Sequence, residues 1–204
     1  FKLTNKFGDV HITTCDQNTI QVDVLITVDM KSENKAKEAL DKIEINDVSS
    51  ASNVEVSTEF GKVKGGEHSE VNVNYTIKLP KSVRLNLRND FGDLFVASMD
   101  ESAEIRVEYG SFRAEQLNGS NNNLTLKFSS AEVDAYGGEI DVEYGSISLD
   151  EGTNLKLKSA FSALDIDEVS SLVVNSQYDA LDIDNIGSLD IEAKFTTAEI
   201  DNLG

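Results

Sequence analysis

The chain has 204 residues with 18 Lys and Arg against 37 Asp and Glu, a formal net charge of −19. Its hydrophobic content of 39% is that of a folded protein rather than a disordered one. The charge excludes phosphate-rich partners, nucleic acid and anionic membrane surfaces, by repulsion. The single cysteine, Cys15, excludes an intrachain disulfide, and the absence of an apolar run of about 18 residues predicts no membrane span. The chain opens on Phe1 in mid-strand pattern, so a targeting segment is expected upstream of it.

In chain order, the first signal is Asn5–Ile12, NKFGDVHI, which returns as NDFGDLFV at Asn89–Val96; TEFGKVK at Thr58–Lys64 is a weaker copy. Between these lie two long alternating strands. Ile20, Val22, Val24, Ile26 and Val28 share one face of the first. Val71, Val73, Tyr75, Ile77 and Leu79 share one face of the second, which Pro80 stops. A helix is expected over about 32–43, with Ser32 as N-cap, Glu33 in the first turn and an apolar stripe of Ala36, Ala39, Leu40 and Ile43. That stripe would cover an end or edge of the fold, where unpaired strand groups invite aggregation.

From residue 89 onward the chain is repetitive. Phe91, Tyr109, Phe128, Tyr144, Phe161, Tyr178 and Phe195 recur at spacings of 18, 19, 16, 17, 17 and 17, each followed by a small or turn-forming pair. Apolar residues recur four positions before each aromatic (Leu87, Ile105, Leu124, Ile140, Leu157, Val174, Ile191), and again three and five positions after it. Eight positions after it the apolar residue usually returns, Gly152 being the exception. Same-position identity at a near-constant period predicts stacked coils, each burying its inward row against the next at about 4.8 Å. Antiparallel hairpins would instead relate every second strand by a reversed pattern. The expected fold is therefore an all-β, single-chain parallel β-helix of about 17 residues per coil, right-handed, with the seven aromatics in one inward stack. Residues 1–88 are expected to form an irregular β region with the helix, continuous with regular coils over 89–204.

Two motifs together carry a family likeness. VNVNYTIKLPKSVRLNLRNDFGDLFV, whose Tyr-x-Ile-x-Leu-Pro leads into Asn-x-Phe-Gly-Asp, is followed by coils of aromatic-Gly-Ser. Over essentially its whole length the chain resembles the bacterial, Bacteroidetes-type putative-adhesin domains built of β-strand repeats, a family of unknown function. The resemblance implies a parallel β-helix, export to the cell envelope and no enzymatic activity. It brings no site residues with it.

No catalytic or cofactor motif stands out. His11 and His68 are far apart and in no metal-ligand spacing. The stretch around Lys62 and Lys64 lacks a phosphate-loop signature and reads as a hairpin loop. One constellation emerges from the alignment of coils. Six positions after the aromatic stand Glu115, Asp134, Asp150, Asp167, Asp184 and Asp201. Stacked carboxylates repel by roughly 1 kcal/mol per neighbour in water. Either each accepts backbone N–H bonds at a turn, the favoured reading, or the row is an edge for Ca²⁺ or a cationic partner. On the strand before the aromatic, signs mix, and Asp141 is expected to stack beside Lys158, a solvated and compensated face. The leading functional expectation is a non-enzymatic, exported structural or binding protein, periplasmic or at the cell surface, with a protein or glycan partner. The alternatives are a carbohydrate-active β-helix enzyme, using a carboxylate pair, and a periplasmic regulatory or sensory partner.

Overall fold

A computed structural model describes residues 1–61 and 70–204. Lys62 and Lys64, expected in a hairpin loop, and His68 lie outside the described residues. The chain is a parallel β-solenoid with about 17 residues per coil. In chain order, β1 (Lys2–Lys6) and β2 (Val10–Thr14) form one coil. The excursion β3 (Gln21–Asp29), α1 (Glu33–Leu40) and β4 (Ile43–Ser49) leads to a second coil, β5 (Val54–Phe60) and β6 (Glu70–Leu79). The coils then follow in order through β7 (Leu85–Asp90), β8 (Leu94–Val96), β9 (Ala103–Glu108), β10 (Ser111–Lys127), β11 (Ser130–Glu143) and β12 (Ser146–Ala160). The last are β13 (Ala163–Val169), β14 (Leu172–Gln177), β15 (Ala180–Ile186), β16 (Leu189–Lys194) and β17 (Thr197–Leu203).

Two parallel faces result. The first runs β5, β1, β7, β9, the C-terminal halves of β10, β11 and β12, then β14 and β16. The second runs β6, β2, β8, the N-terminal halves of β10, β11 and β12, then β13, β15 and β17. The sequence copies explain an order that chain position alone would not. The Asn5 coil lies directly on the Asn89 coil, Asn5 opposite Asn89 and Val10 opposite Leu94, and the coil made of β5 and β6 lies on its other side. At that end β3 pairs antiparallel with β6 and β4 antiparallel with β5.

The inward rows are those the repeat predicts. Leu87, Ile105, Leu124, Ile140, Leu157 and Val174 are buried, as are Leu94, Phe112, Ile147, Leu164 and Leu181, and Val96, Val133, Leu149, Ile166 and Ile183. Burying each such Leu or Ile contributes roughly 1.5–3 kcal/mol. In the final coil the inward side opens, Ile191 to 39% and Leu203, eight positions after Phe195, to 66% exposure.

Two expectations are corrected. The helix is shorter than 32–43: it ends at Leu40, which is exposed, and Ile43 instead opens β4. Ser32 takes the extended N-cap conformation but its hydroxyl oxygen accepts no capping hydrogen bond, and Ala39 is the buried helical residue. The aromatics stack as expected, but on the outside. Phe91, Tyr109, Phe128, Tyr144, Phe161 and Tyr178 are 43–50% exposed. Each has a positive φ, between 50° and 60°. This left-handed residue breaks the in–out alternation at the corner. The preceding strand points every second residue inward up to two positions before the aromatic. After the corner the inward set resumes one position after it, with buried Ser129, Ser162 and Asp179. The aromatic itself is turned out.

Candidate binding surface

The corner residues form one continuous ladder. Phe7 stacks on Phe91, and Phe91, Tyr109, Phe128, Tyr144, Phe161, Tyr178 and Phe195 follow with ring centroids 4.8–5.2 Å apart. From Phe91 on, neighbouring rings are within 7° of parallel. Phe60 meets Phe7 edge-on, and the Lys6 ammonium lies 4.9 Å from the Phe7 ring centre. Eight stacked rings at about 5 Å make an apolar ridge about 35 Å long. Because the rings cover one another's faces, the ridge offers solvent their edges.

At the glycine corners the inner side has no room for a side chain. A Cβ on Gly92 would sit 2.1 Å from the Gly8 carbonyl oxygen, and one on Gly110 2.0 Å from that of Gly92. Where a hydroxyl replaces glycine it satisfies the turn. Ser129 Oγ donates to the Lys127 carbonyl and Ser162 Oγ to that of Ala160, both at 2.8 Å. In the next coil the position is Asp179, 6% exposed. Its Oδ2 accepts from Ser159 Oγ (2.7 Å), Ser176 Oγ (2.6 Å) and the Gln177 N–H (3.0 Å), and its Oδ1 from the Ser162 N–H (2.7 Å). Four hydrogen-bond donors hold this buried carboxylate. Sequence reasoning missed it, because Asp in a turn-forming pair reads as a surface residue.

The two outer faces differ in charge. On the first, opposite signs pair: Lys127 with Glu143 at 2.7 Å, Lys156 with Glu139 at 2.9 Å and Lys158 with Asp141 at 3.7 Å, the last as expected from the stacking. Glu139, Asp141, Lys156 and Lys158, with their neighbours, border a shallow trough of about 500 Å³. On the second face, Phe128–Gly138, Gly145–Asn154, Phe161–Ser171, Tyr178–Ser188 and Phe195–Gly204 contain no Lys or Arg. The predicted acidic residues do align there. Ile166 pairs with Ile183 and Glu168 with Asn185, which sets Asp167 over Asp184, and the same register continues to Asp201. Asp134, Asp150, Asp167, Asp184 and Asp201 are exposed.

The favoured reading of that row holds at one residue. Glu115 accepts from both the N–H and the hydroxyl of Ser98, at 3.0 and 2.7 Å, which lowers its pKa below the ordinary carboxylate value. Among the described residues, the other five make no side-chain hydrogen bond. Asp150 is raised above the ordinary value by desolvation and then by the charges of Asp167, Asp134 and Glu132. Asp184 is raised by desolvation and then by Asp167, Asp201, Asp182 and Asp165. Among the described residues no three His, Cys, Asp or Glu side chains come together to hold a metal ion. His11 is exposed and stacks on Phe95, centroids 4.6 Å apart.

Between ridge and acids runs a groove of about 450 Å³. Its floor is Ser146, Ala163 and Ala180, each two residues after a ladder aromatic, and its wall is Ser148, Asp165, Asp182 and Glu199. These wall residues are in register, Ser148 opposite Asp165, Asp165 opposite Asp182, and Asp182 opposite Glu199.

No protein-family model matches the chain, and no curated protein matches it in sequence. Among solved structures, it is similar to a putative cell adhesion protein from Clostridium sporogenes ATCC 15579. The two are 14% identical with a TM-score of 0.32, over 98% of this chain and 90% of that one. Among the described residues no helix is long and apolar enough to cross a membrane.

Proposed function

We propose that this chain is a non-enzymatic, exported binding protein of the cell envelope, an adhesin-like β-solenoid that engages partners along its length. The narrower kinship with the bacterial adhesin-like repeat domains rests on the Tyr-x-Ile-x-Leu-Pro and Asn-x-Phe-Gly-Asp motifs. The observation that carries the binding role is the ladder of eight aromatics. Exposed apolar surface of this continuity, on a chain otherwise so acidic, is the mark of an interaction surface. Its regular spacing suits an extended partner that repeats contacts from coil to coil.

The test is retention of the immobilised chain on a panel of envelope polysaccharides and matrix proteins, with product analysis of each glycan. We expect retention on at least one, reduced several-fold by Tyr144→Ser with Phe161→Ser. Equal retention by that variant would remove the ridge from the binding surface. Glycan cleavage abolished by one carboxylate substitution would replace the reading with the hydrolytic one.

A further inference from the structure

The groove beside the ridge has two chemically different sides. One is apolar: a floor kept low by Ala163 and Ala180, with Leu164 and Leu181 beside them and the aromatic row two residues upstream of the alanines. The other is the wall of Asp165, Asp182 and Glu199, rising from the same strands. No base answers that wall, because the second-face half of each of these coils contains no Lys or Arg. The one arginine at the head of the row, Arg113, is already paired with Glu132. The first face shows what compensation looks like on this molecule, and beyond the Arg113–Glu132 pair the second face of these coils lacks it.

This division decides among occupants. A sugar that stacks on aromatics needs ring faces, and along the groove the faces of Tyr144, Phe161 and Tyr178 are covered by neighbouring rings about 5 Å away. Ring edges carry the positive end of the aromatic quadrupole, so a cation has no preference for them. Its place is on the carboxylates, while alkyl groups go to the edges and the alanine floor. A nucleic acid or anionic lipid is repelled. A single small cation would leave the apolar side unused. What fits both sides is an elongated molecule with cations along one flank and apolar groups along the other.

We propose that this groove is a docking site for an extended, basic segment of a partner protein, with lysine or arginine heads on Asp165, Asp182 and Glu199 and apolar side chains on the alanine floor and the ridge. Four rungs of wall at about 4.8 Å span roughly 14 Å, room for about four extended residues at about 3.3 Å each. The mode is a side-chain one. It runs along the solenoid axis and leaves the strand hydrogen bonds of the coils intact. The raised pKa values of Asp150 and Asp184 on the adjoining row fit a face whose like charges lack a partner.

This inference rests on reading the chain as a binding protein, and its test is separate from the panel above. Fluorescently labelled octapeptides of alternating Arg and Leu, Arg and Ser, and Glu and Leu are titrated by anisotropy at about 150 mM NaCl, where bare surface attraction is largely screened. The Arg–Leu peptide is expected to bind, the Glu–Leu peptide not to bind, and the Arg–Ser peptide to bind about tenfold more weakly, for want of apolar contact. Asp165→Asn with Asp182→Asn is expected to weaken Arg–Leu binding about tenfold. Asp190→Asn with Glu192→Gln removes the same charge from the first face and is expected to change it by less than about twofold. Ala180→Gln, which raises the floor without changing charge, is expected to weaken it as well. Thermal melts confirm that each variant folds. No binding of the Arg–Leu peptide, equal weakening by the two charge pairs, or equal affinity for Arg–Leu and Arg–Ser would each overturn the site. The first of these with retention still seen on the panel would remove the groove and leave the binding role of the ridge standing.

Discussion

At the scale of the residue, the unusual feature is an aromatic side chain on a left-handed backbone, repeated in every coil. A non-glycine residue in that region costs roughly 1–2 kcal/mol, and an aromatic pair contributes about 0.5–1.5 kcal/mol beyond its buried area. Phe161 lies between Tyr144 and Tyr178, at 4.9 and 5.0 Å. Along the ladder each stack is shared by two corners, so about one stack per corner offsets part of its strain, which favours an aromatic throughout the repeat although glycine would be conformationally easier. The consequence is a reversed order of variants. Phe161→Ala loses both stacks and keeps the strain, so urea denaturation should show a loss of about 1–3 kcal/mol. Phe161→Gly loses the stacks and relieves the strain, and should be milder by about 1 kcal/mol. In an ordinary strand glycine is the worse of the two. Finding glycine worse here, or an alanine cost near the 3–5 kcal/mol of a fully buried phenylalanine, would show the ring to be core.

At the scale of the element, the unit is the corner that joins two strands of a coil. How much of it was legible follows from parity. The apolar positions four before and three after each aromatic have opposite parity, so alternation must slip once in the interval that holds the aromatic. The pattern does not say on which side the ring falls, and a conserved-spacing aromatic among apolar neighbours reads as core. The missed clue was Gly92, Gly110 and Gly145 immediately after, the tight inward position. The stacking of the Asn5 coil on the Asn89 coil was equally legible as a copied phrase, whereas its insertion ahead of the β5–β6 coil depends on long-range pairing that no local pattern encodes. Asp179 was illegible for a different reason: its donors come from Ser159, Ser162 and Ser176, two of them a full coil away. Hydrogen bonds to a charged acceptor contribute about 1.5–3 kcal/mol each when made, and stranded donors add a penalty. Asp179→Asn presents an NH₂ group to hydroxyl and amide donors, and a loss of about 2–4 kcal/mol is expected in denaturant melts. A loss under about 0.5 kcal/mol would mean that the hydroxyls find other acceptors and the corner does not depend on the carboxylate.

At the scale of the whole molecule, the charge asymmetry between the two faces governs how stability responds to solution conditions. Asp150 and Asp184 have folded-state pKa values above their ordinary ones. A raised carboxylate pKa means that the folded chain binds protons more tightly than the unfolded chain, so these groups destabilise the fold at neutral pH. That penalty is relieved as pH falls through the raised values and is gone below the ordinary aspartate range of about 4. Glu115 runs the other way: its hydrogen bonds from Ser98 stabilise above the ordinary glutamate range and are lost as pH falls through its lowered value. Mild acidification from neutral pH should therefore raise the melting temperature before deeper acidification lowers it. Salt should act in the same direction as mild acid, by screening the second face. The remaining question is whether Ca²⁺ does more than screen. An ion that binds only the folded state stabilises it by mass action, but no three acidic side chains of the described residues converge on a common point, and the row presents carboxylates one per coil. Thermal melts in CaCl₂ and in NaCl at matched ionic strength should therefore give equal shifts. A larger shift in Ca²⁺, lost in Asp167→Asn with Asp184→Asn, would convert the row into a cation site and make the ion a competitor of the basic segment for the same face.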